Sequence, residues 1–179
     1  MLNNKQFKLL LEDIQSKKEI EVLLKKYNIE NYVFNNDGSI DVDGDVNLMN
    51  KGLTKLPFKF GEVSGKFNCS HNLLTNLIGA PKKVIGNFWC SFNQLTNLKD
   101  APKIVKGWFS CCGNPLVSLD GAPEILLGAF YIYENEWKHL NPFKEPEKEA
   151  TLDDITDTYG ENKTINIKHY LYENNRLQR

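Results

Sequence analysis

The stretch of residues 84–104 reads VIGNFWCSFNQLTNLKDAPKI. VSGKFNCSHNLLTNLIGAPKK precedes it from Val63, and VKGWFSCCGNPLVSLDGAPEI follows it from Val105. A fourth copy, LLGAFYIYENEWKHL, opens at Leu126, and a looser one, VDGDVNLMNKGLTKLPFKFGE, opens at Val42. Starts at 42, 63, 84, 105 and 126 set a period of 21 residues without insertion, with Gly at 44, 65, 86, 107 and 128. Repetition in one register makes a solenoid. Each copy is a coil too small to bury an apolar face alone, so it stacks on its neighbours.

Within a coil, Phe67, Cys69, Asn72, Leu74 and Leu77 occupy an L-x-L-x-x-N-x-L-x-x-L frame. Phe88, Cys90, Asn93, Leu95 and Leu98 repeat it, as do Phe109, Cys111, Asn114, Leu116 and Leu119. The end copies are less regular, with Val46, Leu48, Lys51, Leu53 and Leu56 in one and Phe130, Ile132, Asn135, Trp137 and Leu140 in the other. The period and frame fall in the leucine-rich range. Alternation around Phe67–Cys69 predicts one short strand per coil, stacking into a parallel sheet on a concave face. Asn carries both a donor and an acceptor. Asn72, Asn93, Asn114 and Asn135 are therefore expected to form a structural ladder that satisfies backbone groups of adjacent coils. Pro81, Pro102 and Pro123 argue against a helix on the way back, so the convex side is expected to be extended or polyproline-like.

The pattern G-x-F-x-C-S-x-N-x-L-T-x-L-x-x-A-P resembles the short leucine-rich repeat proteins of many tailed phages and some bacteria. The lead-ins at residues 37–44 and 50–57 resemble them too, and the likeness spans roughly residues 32–140. It implies an α/β solenoid that acts as an interaction scaffold and carries no catalytic residues. The chain departs from the pattern at Cys112-Gly113-Asn114-Pro115.

Three regions follow: an N-terminal helical cap and hairpin (1–41), five repeats (42–143), and an acidic linker with a C-terminal cap helix (144–179). Phe7, Leu10, Leu11 and Ile14, then Ile20, Leu23, Leu24 and Tyr27, have helical spacing, with a break expected at 15–18. Residues 32–42 read as a hairpin turning at Asn36-Asp37-Gly38. From Glu134 to Glu161 nine acidic residues face three lysines.

At 179 residues, 41% apolar and 25% charged with a net charge of −1, the chain has the composition of one globular domain. It has no Lys/Arg excess to neutralise phosphates, so nucleic acid is not the expected partner. No apolar run reaches about 18 residues, so no membrane span is expected. The early charges of the N-terminus do not read as a secretory signal, and a cytoplasmic location, that of the host cell for a phage-type protein, is expected.

Cys69, Cys90 and Cys111 share one inward phase and read as small hydrophobes rather than as metal or redox groups. Cys112, one residue out of phase, is expected to point outward as the one candidate reactive thiol. Asp41, Asp43 and Asp45 do not meet the spacing of a calcium loop, and His71, His139 and His169 share no spacing. No cofactor or metal is expected. The outward strand positions carry the functional expectation. Trp89, Phe92, Trp108, Tyr131 and Tyr133, with Lys66 and His71, are the candidate partner-binding residues, and the rings are expected to lie in contact on adjacent coils. The first reading is a non-enzymatic module that engages a host protein through the concave face, in host takeover or inhibition of a defence complex. The alternative is a virion or assembly component with the solenoid as spacer.

Overall fold

The computed structural model describes residues 16–132. Residues 16–26 are helical, including 16–18, where the apolar spacing predicts a break. Leu24 is fully buried, and Ile20 and Tyr27 pack against the same core. Asn28, at φ 53°, ends the helix in the left-handed region. Its N–H reaches Lys25 O, and Ile29 N–H reaches back to Leu24 O. These two bonds close a Schellman motif with Ile29 as its buried apolar contact.

The hairpin lies where the sequence places it. Strand β1 (Tyr32–Phe34) pairs antiparallel with β2 (Ile40–Val42), Phe34 opposite Ile40. Gly38 supplies the positive φ in the turn. Asp37 accepts from Ser39 within the turn and pairs with Lys59 and Lys82. The Ser39 hydroxyl foremost, then the Lys59 ammonium, holds its carboxyl well below the usual carboxylate range.

From there the chain is a parallel-strand β-solenoid of about four turns. It has two sheets among the described residues, not one. The expected sheet is built from β3 (Val46–Asn47), β5 (Phe67–Asn68), β7 (Phe88–Trp89), β9 (Phe109–Ser110) and β11 (Phe130–Tyr131). The hairpin begins a second sheet, continued by β4 (Phe60–Val63), β6 (Lys83–Val84), β8 (Ile104–Val105) and β10 (Ile125–Leu126). The return path is thus extended as expected, but it is hydrogen-bonded into a sheet rather than polyproline-like. Pro81 lies just ahead of β6, and the next residue already joins its neighbour, Lys82 N–H to Gly61 O at 2.7 Å.

Gly65, Gly86, Gly107 and Gly128 form the corner between the sheets. A Cβ on Gly86 would sit 2.6 Å from Gly65 O, and one on Gly107 would sit 2.6 Å from the Gly86 carbonyl carbon. Close approach of backbone to backbone, not positive φ, is what requires glycine here. Inside, Phe67, Phe88, Phe109 and Phe130 stack with centroids 5.3–5.4 Å apart, and Phe60 meets Phe67 edge-on at 4.9 Å. Cys69, Cys90 and Cys111 are fully buried beside them.

Candidate functional site

The asparagine ladder fixes the end of each strand in the five-stranded sheet. Asn93 Nδ2 donates to Cys69 O (3.0 Å), Cys90 O (3.1 Å) and Ser91 O (3.3 Å), while Oδ1 accepts from Leu74 N–H at 3.0 Å. Asn114 repeats the set on Cys90, Cys111, Cys112 and Leu95. Asn72 does so on Leu48, Cys69 and Ser70, accepting from Lys51 and Leu53. Each side chain latches its own coil to the preceding one. Asn135 lies outside the described residues.

The residue ahead of each ladder position is left-handed: His71 at φ 56°, Phe92 at φ 54° and Gly113 at φ 61°. That turn stops the strand's in-and-out alternation one residue early, so the column before it folds inward. Cys112, expected to point outward, is buried at 2% exposure, and Ser70 and Ser91 in the same column are buried with it. Cys112 is therefore not an exposed thiol. Ala129 is likewise buried. Burial pushes the Cys69 thiol up to about 12 and the Cys90 and Cys111 thiols well above their ordinary value.

The candidate rings do not form one cluster. His71 and Phe92 stack at 4.5 Å with planes 19° apart, and the Phe92 ring lies over Gly113, where a Cβ would meet it at 2.5 Å. Trp108 leans over Gly128 and meets Tyr131 edge-on at 5.8 Å. Trp89, partly buried, joins neither pair. Trp108 is 49% and Phe92 40% exposed. Lys66 and His71 are exposed on the coil before Trp89. Tyr133 lies outside the described residues. The outer surface of the five-stranded sheet thus carries two aromatic ledges at opposite ends of the strands, with Trp89 between them.

Three asparagines at outward strand positions, not among the candidate partner-binding residues, shape the same surface. Asn47 Oδ1 accepts from Met49 N–H at 3.1 Å and Asn68 Oδ1 from Ser70 N–H at 3.0 Å, both local Asx turns. Asn87 Oδ1 accepts from Trp108 N–H in the next coil at 2.9 Å. Their signal in the sequence is an Asn at the end of a two-residue strand or one position ahead of its start.

The acidic run Asp41, Asp43 and Asp45 is spent on the next coil. Asp41 accepts from Glu62 N–H, Asp43 from the Ser64 hydroxyl and Asp45 from Lys66 N–H. Along the hairpin's sheet, Lys82, Lys83 and Lys103 pair with Asp37, Glu62 and Glu124. Among the described residues, no three His, Cys, Asp or Glu side chains are grouped to hold a metal, and no helix is long and apolar enough to cross a membrane. Comparison with protein-family models, curated proteins and solved structures gives no match.

Proposed function

We propose that this chain is a non-enzymatic, leucine-rich-repeat protein-binding module whose five-stranded sheet forms the concave recognition face. The observation that carries this reading is the placement of Trp108 and Phe92, about half-exposed on that sheet, in a solenoid that stacks its strand phenylalanines Phe67, Phe88, Phe109 and Phe130 in the interior. Large rings held on a rigid sheet offer contact area at little cost in conformational entropy, and such residues dominate interface energetics. The repeat's resemblance to phage proteins makes a host protein the proposed partner, and host takeover or inhibition of a defence complex the proposed role.

The test is capture of partners by the tagged full-length chain from phage-infected cells, beside Trp89→Ala with Trp108→Ala. A Trp at the centre of an interface contributes at least about 2 kcal/mol, so the double variant should lose capture by well over tenfold. Its circular dichroism and melting should match the parent. Full capture by the folded double variant would move the site elsewhere, and recovery of virion proteins alone would assign the solenoid to assembly.

A further inference from the structure

We infer that the partner segment seated on the five-stranded sheet is an extended, acidic stretch of polypeptide. The inference rests on the reading of that sheet as the recognition face, where unengaged hydrogen-bond donors gather. Asn47, Asn68 and Asn87 each commit their side-chain oxygen to a backbone N–H, which turns the NH2 group outward. Asn68 Nδ2 meets only the Met49 thioether, at 3.6 Å, a weak acceptor. No acceptor meets Nδ2 of Asn47 or Asn87 among the described residues. The indole N–H groups of Trp89 and Trp108 are donors only, and Lys66 adds an exposed ammonium.

The acceptors beside them are partly engaged. The Ser110 hydroxyl and that of buried Ser91 bond each other at 2.7 Å, and Asp45, in the first coil, spends one carboxylate oxygen on Lys66 N–H at 2.7 Å. Covering such a surface with an apolar partner would strand donors, at about 1–3 kcal/mol for each one left unpaired. Carboxylates and the main-chain carbonyls of an extended chain would satisfy them, the carboxylates with the stronger, charge-assisted bonds. The donors lie on four successive coils about 4.8 Å apart, and an extended chain rises about 3.3 Å per residue. Roughly five residues would span them, with the aromatic ledges to either side.

The experiment measures the affinity of the full-length chain for three fluorescent synthetic peptides by anisotropy. They share one apolar and glycine content and carry four acidic, no charged, or four basic residues. The acidic peptide should bind at least tenfold tighter than the neutral one, and the basic peptide weakest. Asn68→Asp with Asn87→Asp keeps the oxygen that accepts each N–H, as Asp45 does natively two coils before Asn87, and replaces two donors with carboxylates. That variant should keep its melting temperature and lose the acidic preference at least tenfold. Lys66→Glu, at an exposed side chain, should weaken acidic binding in the same direction and serves as the check should the Asp pair misfold.

Equal affinity for the three peptides, no binding of the acidic one, or an unchanged preference in the folded variants would overturn the inference. The Trp89→Ala, Trp108→Ala chain separates the two readings. If it loses peptide binding while the parent shows no acidic preference, the recognition face stands and the acidic partner falls. If it binds all peptides like the parent, both fall. If acidic binding emerges only after the nine carboxylates of 134–161 are changed to amides, the chain's own segment is the occupant, and an external partner is overturned.

Discussion

Asn93 sits in a pocket of oxygens with one N–H, and no other side chain matches that set. Asn93→Ala removes four hydrogen bonds and strands Leu74 N–H in the interior. Urea unfolding should record a loss of at least about 1–3 kcal/mol. Asn93→Asp should be worse than Ala at neutral pH, because it puts a carboxylate against three carbonyl oxygens; equal stability of the two would contradict donation from Nδ2 to those carbonyls. The neighbouring thiols bring a pH dependence. An unfolded cysteine ionises near pH 8.5, while folded Cys69 holds its proton up to about 12 and Cys90 and Cys111 hold theirs well above the ordinary value. The stabilisation from their neutral forms is whole below the unfolded value and is lost as pH rises toward the folded one. Each thiol removes about 1.4 kcal/mol of stability per pH unit in that window. Stability measured between about pH 8 and about pH 10 should therefore fall, and Cys90→Ala should flatten the slope by one thiol's share.

The corner of each coil is where side-chain volume is forbidden. Gly86→Ala would drive a methyl into the Gly65 carbonyl and Lys66 N, all backbone of the adjoining coil. Gly52, at φ 66°, has nothing within 4 Å of its added Cβ, so Gly52→Ala carries only the cost of a left-handed Ala, about 1–2 kcal/mol. Thermal melting should rank Gly86→Ala well below Gly52→Ala, and the reverse order would mean that the corner can open. Elements whose spacing repeats a side-chain requirement were legible in the sequence: the coil length, the Phe–Cys strand, the Asn ladder and the hairpin. The second sheet was not. Its first column runs Glu62, Lys83, Ile104, Ile125, with no shared chemistry, and only the following Val63, Val84, Val105 and Leu126 are buried. Each of its strands carries a single recurring apolar residue, too short a run to show the in-and-out alternation by which a strand is read from sequence. The aromatic site was half legible. The outward phase identified Trp108 and Phe92, but not the left-handed turn that buries Cys112, nor which atom of each outward asparagine amide is engaged.

At the scale of the molecule, the backbone bonds between coils join each coil to the next one along the chain. Damage is therefore local at first. Hydrogen exchange on Asn93→Ala should show faster exchange in the coils of residues 63–104 before it reaches the hairpin, and uniform acceleration over all described residues would indicate a single cooperative unit instead. The latches of Asn72, Asn93 and Asn114 have a direction as well: each reaches back toward the N-terminal neighbour and none reaches ahead. A chain leaving the ribosome presents its coils in that same order, so each new turn arrives carrying the clasp for the turn already outside. Synthesis can then lock the spiral behind itself, one repeat per 21 codons, without waiting for sequence still to be translated.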